Sequence, residues 1–264
     1  MYTLATLYQF KRHLGIPPDN TAQDDRLLTA LGAAVQHMER ETGRRYLPYV
    51  ASYAQDVNPR RPSELVLTHD LLQLESVADV GGTLDADDVL LLPPGGPASV
   101  LSLNGVFLWD GGPERAVTVS GVWGWHDDPL HMWQATGDTL DQTILNTNDT
   151  QMTVQDADAT YADGQTPRFS VGSLLEMSGE YLRVLAVDTA ANVLTVERGA
   201  QGTTAFTHLQ GTPIDVFRPP YDVLMTALEV AAWFYRQPDS ATPSDVPPAV
   251  VGAMHSLRRA VVRA

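Results

Sequence analysis

Apolar residues recur every three or four positions near the start of the chain and again over its last forty-odd positions, and alternate in short runs between. Leu7, Phe10, Lys11 and Leu14 share one face over 6–14, with Gly15 placed to end a helix. Pro17 and Pro18 follow as a stiff connection. Leu27, Leu28, Leu31, Ala34, Val35 and Met38 predict a second helix over 24–42, with Thr21 or Asp24 as its cap. Gly43 closes it, and Arg40, Arg44 and Arg45 sit near the negative end of its dipole.

From 49 onward the period shortens to two. Strands are predicted over 49–57, 64–68, 74–80, 89–92, 100–109 and 116–123, separated by turns rich in Gly, Pro and Asp. Residues 137–218 differ in texture. Short alternating pairs such as Met152 and Val154, or Leu194 and Val196, are divided by Gly, Asp, Asn and Thr turns, which predicts a small all-β module. Helical spacing returns with Val223, Leu224, Ala227, Leu228, Ala231, Phe234 and Tyr235, and Pro220 fits a first turn. A polar, Pro-rich linker at 238–248 precedes a last predicted helix over 248–262.

Composition narrows the function classes. The chain has 264 residues, 44% of them hydrophobic, and a formal charge of −15. Such a charge opposes a dedicated nucleic-acid-binding face. The stretch 137–218 contributes eleven acidic residues against four arginines. There is no cysteine, so disulfides, thiolate metal sites and cysteine nucleophiles are excluded. No run approaches the roughly 18 apolar residues that span a bilayer, and the N-terminus lacks a signal-like apolar core, so a soluble protein made in the cytoplasm is expected.

Candidate chemistry is sparse. His126, Asp127, Asp128 and His131 are metal-ligand types close together, but read better as a polar domain junction. Asp156, Asp158 and Asp163 have the composition of a calcium loop without EF-hand spacing. Thr42-Gly-Arg-Arg45 reads as a helix end before it reads as a phosphate site. No nucleophile elbow, phosphate-binding loop, dinucleotide fingerprint or zinc-protease helix occurs. No catalytic residue, metal or cofactor is therefore assigned, and an enzyme is not expected. Two groups point to partners instead. Arg258, Arg259 and Arg263 make a basic terminus suited to docking, and Trp123, Trp125 and Trp133 are candidate inter-subunit or partner aromatics.

Two phrases carry a resemblance. The stretch from Thr6 through Leu14-Gly-Ile16 to Glu39-Arg-Glu-Thr-Gly-Arg-Arg-Tyr46 resembles the opening of tailed-phage head-tail connector proteins of the lambdoid type. So does the strand Gly121-Val-Trp-Gly-Trp125 taken with the helix beginning near Pro220, although 137–218 stands between them. Within that block, the phrase Thr195-Val-Glu-Arg-Gly-Ala-Gln-Gly-Thr-Thr-Ala-Phe-Thr-His208 resembles a β module seen in various phage structural proteins.

The resemblance implies an α+β fold. A discontinuous connector core, 1–136 and 219–264, would pair terminal helices with a small, mainly antiparallel sheet. An inserted barrel- or sandwich-like module would occupy 137–218. It further implies a virion protein of the neck: a homo-oligomeric ring, a dodecamer, beneath the portal protein. The ring would join a tail-side neck or tail terminator protein and pass genomic DNA through its lumen without sequence-specific binding or membrane contact. By the same analogy Arg258, Arg259 and Arg263 dock on the portal. Another phage neck or tail structural protein is the nearer alternative; a hydrolase or carbohydrate-binding protein with a β accessory module is the more remote one.

Overall fold

The computed structural model describes residues 2–104, 109, 114–160, 167–236 and 246–259. In chain order the elements are α1 (Leu7–Leu14), α2 (Asp24–Thr42), β1 (Tyr49–Gln55), β2 (Glu64–Asp79), β3 (Gly82–Thr83), β4 (Val89–Leu92), β5 (Ala98–Leu103) and β6 (Val117–Trp123). Then come β7 (Trp133–Thr139), β8 (Ile144–Leu145), β9 (Gln151–Thr153), β10 (Leu174–Met177), β11 (Glu180–Asp188), β12 (Val193–Glu197), β13 (His208–Leu209) and β14 (Pro213–Phe217), followed by α3 (Tyr221–Arg236) and α4 (Pro248–Ser256). The fold is α+β, as the periodicity predicts. It forms two compact units, residues 1–42 with 131–257 and residues 43–130 with 258–264.

In the first unit, α1 starts on a capping box. Thr6 Oγ1 accepts from Gln9 N at 3.2 Å, and Gln9 Oε1 accepts from Thr6 N at 2.9 Å. Gly15 ends the helix at φ +70°. Lys11, the chain's only lysine, is buried; its ammonium meets Asp24 Oδ1 at 2.6 Å and donates to Pro18 O at 3.1 Å. This pair fixes the turn between α1 and α2. Asp24 therefore lies in the first turn of α2, with its carboxylate taken by Lys11, and does not act as the expected cap. The predicted stripe of α2 is buried at Leu27, Leu31, Ala34, Val35 and Met38, against the apolar face of α3. α4 leans on both through Val250 and Met254. It ends at Ser256, short of the expected 262; residues past 259 lie outside the described part.

The strands of this unit form an antiparallel sheet in the order β7-β14-β10-β11-β12-β9, with β8 and β13 as a separate pair. The sheet curls until its edges meet. Leu140 bridges Val154, and Asp141 N donates to Thr153 O at 2.8 Å. The result is a small barrel, which removes both sheet edges. Its interior is filled by the alternating residues of the sequence pattern, among them Met152, Leu175, Leu182, Val184, Leu194, Val196 and Ile214. Compactness divides the chain differently from the expected partition at 137–218. The N-terminal residues hydrogen-bond to the barrel, through Leu7 N to Val171 O at 3.0 Å and Tyr2 OH to Glu197 Oε1 at 3.1 Å, so the helices share its unit. The barrel also begins four residues early, at Trp133.

The second unit is an antiparallel sheet ordered β1-β6-β2-β5-β4, with β3 folded back on β2. The expected strands at 64–68 and 74–80 are one strand, β2, of 16 residues. No Gly, Pro or Asn separates them. Instead the register slips between Val66 and Leu71 against β5, and twice more between Leu71 and Ser76 against β6. β2 thus bends through bulges and serves two different partners with its two halves. Leu65, Leu67, Leu71, Leu101, Val117, Val119 and Trp123 fill the core beneath it.

Candidate functional site

Two polar constructions stand out, one in each unit. In the sheet unit, Gly43 turns at φ +67° and sends Arg44, Arg45 and Tyr46 to different surroundings. The Arg44 guanidinium lies 4.5 Å from the Trp125 ring centre and 3.7 Å from Asp70 Oδ2. Arg45 is exposed and covers the Tyr49 ring at 4.0 Å. Tyr46 is buried edge-on against Trp125, at 5.9 Å between centroids. Backbone bonds close the node: Trp125 N donates to Arg45 O at 2.7 Å and Gly124 N to Asp70 O at 2.9 Å.

Arg259 joins from the C-terminal segment. Its Nε donates to Asp70 Oδ1 at 3.1 Å, and its two terminal nitrogens reach Leu67 O, at 2.7 Å, and Thr68 O. Those carbonyls face outward because β2 parts from β5 between Val66 and Leu71. Two guanidiniums, of Arg44 and Arg259, thus meet one buried carboxylate in a chain of charge −15, with Arg45 standing beside them on Tyr49. A shallow hollow opens there, lined by Arg44, Arg45, Tyr49, His69 and Asp70. Burial and nearby charge shift two of its lining groups. Burial, and then the charges of Arg259 and Arg45, push the His69 pKa below that of a free imidazole. Burial, with Arg259 opposing and Asp70 favouring the charge, pulls the Arg44 pKa down.

In the barrel unit, the phrase from Thr195 to His208 wraps Glu180, whose side chain is fully buried. Arg198 meets it with both forks. Gly199 N and Phe206 N donate to it at 3.0 and 3.2 Å, and His208 Nε2 lies 2.8 Å from Oε2. An ionised carboxylate only accepts, so that His208 nitrogen carries the proton. Arg198 also donates to Asn146 O, Asp149 O and Phe206 O, at 2.7, 3.1 and 2.7 Å. Burial raises the Glu180 pKa, but the hydrogen bonds from Arg198, His208 and the two backbone amides outweigh it and hold it low. The cluster is closed and satisfied, which suits it to holding strands together. Nothing in the sequence reading singled out Glu180. The signal was present in the Arg-Gly and His of the phrase, which need an acid to meet.

The other singled-out residues are scattered. Trp123 is fully buried under the sheet; its Nε1 donates to Ala51 O at 2.9 Å and its ring stands edge-on to Tyr53, so it is a core residue. Trp125 is half-buried in the arginine node, and Trp133 is half-buried on Tyr181 and Phe217. Arg259 is engaged within its own chain, Arg258 is exposed, and Arg263 lies outside the described residues. His126 is buried and accepts from Asp128 N at 3.0 Å, whereas His131 is exposed. Asp156 and Asp158 are exposed, and Asp163 lies outside the described residues. Among the described residues, no three His, Cys, Asp or Glu converge as metal ligands would. None of the described helices is long and apolar enough to cross a membrane.

No protein-family model matches the chain, and no curated protein matches it. Among solved structures it is similar to the neck of an empty GTA particle computed with C6 symmetry. The likeness extends over 98% of this chain and 92% of that one, at 12% identity and a TM-score of 0.36.

Proposed function

We propose that this chain is a structural protein of a phage-like virion, a head-to-tail adaptor. Its copies form a ring beneath a portal protein, extend the DNA channel and present a second surface to the tail side. The reading is non-enzymatic. One observation carries it. The two phrases that resemble connector proteins, ending at Tyr46 and at Trp125, are far apart in sequence yet fold onto each other through Arg44, Trp125 and the Trp125 N to Arg45 O bond. Residues that build a shape, not a reaction, are what a passive assembly part requires. The ionised clusters point the same way, because Glu180 and Asp70 spend their lone pairs on partners of their own chain.

The net charge of −15 keeps DNA from adhering as it passes. Portal contact is assigned to the basic terminus of Arg258, Arg259 and Arg263, of which Arg259 also holds β2. The test is negative-stain imaging and native mass spectrometry of the purified protein, alone and with purified portal protein. Ring-shaped particles that bind the portal are expected. A chain that stays monomeric and ignores the portal would overturn the reading.

A further inference from the structure

We propose that the sheet unit associates head to tail with a second copy of itself: the arginine hollow beside β1 receives the Asp85, Asp87 and Asp88 shoulder of β4 from the neighbour, and Leu90, Leu91 and Leu92 are buried alongside. This rests on the ring reading above and names the surfaces that build the ring.

Three observations lead there. First, among the described residues the sheet is open at both edges, since β1 pairs only with β6 and β4 only with β5. Second, β4 is an unusual edge. Leu90, Leu91 and Leu92 are 48, 36 and 38% exposed, three leucines in a row on a strand with unpaired backbone groups. Edge strands of free-standing proteins are normally blunted by charge, and an apolar one is a template for another chain. Third, the two edges are opposite in charge. Arg45 is exposed at the β1 side, and no described carboxylate lies within ion-pair distance of it. Asp85 and Asp87 are exposed, with Asp88 half-buried, in the turn leading into β4.

The acidic shoulder cannot serve its own hollow. β6, β2 and β5 lie between the two edges, which at about 4.8 Å per strand places them roughly 19 Å apart. The complement must come from another molecule. Because the two surfaces differ, each copy uses both, and repetition closes a ring when the rotation allows. Opposite charge fixes which edge meets which, while leucine burial supplies the affinity.

Arg45→Glu and Asp87→Arg both fall on exposed positions, and circular dichroism checks that each variant folds. Native mass spectrometry and light scattering read assembly. Each variant alone should weaken association by about tenfold or more. Mixed together, the two variants should co-assemble with alternating copies, because each hollow then faces a shoulder of opposite charge. The double variant, Arg45→Glu with Asp87→Arg, restores opposite charge and should reassemble. A wild-type chain that is monomeric throughout defeats the ring reading itself. A wild-type chain that assembles while both variants assemble equally well defeats this interface alone. So does an unchanged assembly in which Arg45→Glu only lowers portal capture, which would give the hollow to the portal.

Discussion

Arg198 grips Glu180 with two parallel hydrogen bonds, Nε to Oε1 at 2.7 Å and Nη2 to Oε2 at 2.9 Å, inside a barrel of mostly apolar residues. Charge-assisted, forked pairs of this kind are strong and directional. Their cost appears when one partner is lost, because the other is left charged and buried. Glu180→Gln should destabilise the barrel by about 3–5 kcal/mol. Urea unfolding followed by circular dichroism checks this, and a loss below about 1 kcal/mol would show that the cluster does not hold the strands.

The same carboxylate makes a prediction about acid. Its pKa is held below the 4.5 of a free glutamate, so the folded chain binds its proton later than the unfolded chain does. The stabilisation is fully present above about pH 4.5 and fades as pH falls through the lowered value. The stability gap between wild type and Glu180→Gln should therefore be constant near neutrality and shrink below that pH. A gap that widens on acidification would reverse the assignment.

Much of this was legible in the sequence, for identifiable reasons. The boundaries of α1 and α2 follow from Thr6, Gly15 and Gly43, whose backbone preferences are local. The barrel strands follow from period-two alternation. The long strand β2 was not legible, because its bend comes from register slips against two partners, and the lone Asp70 between its halves, without Gly, Pro or Asn, does not announce them. Trp125 and Arg44 are separated by eighty positions, so their stacking depends on how β6 returns beside β1. The role of Arg259 was hidden for the same reason. Its acceptors exist only where the bulge turns two carbonyls outward. Glu180 was overlooked because in an acidic chain one more glutamate carries little information until its partners are placed.

The Gly-Val-Trp-Gly-Trp phrase yields a sharper test. A Cβ on Gly121 would stand 2.2 Å from Gln73 O and 3.1 Å from Leu71 Cδ1, at the point where β2 slips register against β6. Backbone cannot yield as a flexible side chain does. Gly121→Ala should cost about 3 kcal/mol or more, or rearrange the sheet. By contrast, a Cβ on Gly137 meets nothing within 4 Å, but at φ +74° an alanine there bears only backbone strain of about 1 kcal/mol. Thermal unfolding of the two variants should rank them in that order; equal losses would show that the close approach of β2 and β6 is not what Gly121 serves.

Arg259 offers a test that reads structure and field together. Arg259→Ala removes donors to Asp70, Leu67 O and Thr68 O while Arg44 still faces Asp70, and should cost about 1.5–3 kcal/mol. It should also act on His69. Burial, aided by the charges of Arg259 and Arg45, holds the imidazole below the free value of 6.5, so the unfolded chain protonates first and stability declines as pH drops through that value. Removing one of the two charges should raise the His69 pKa, and Arg45→Glu should raise it further by replacing repulsion with attraction. An NMR titration of the ring protons measures both. If His69 titrates identically in wild type and both variants, the arginines do not shape the potential of the hollow, and the complementary-charge interface loses its basis along with it.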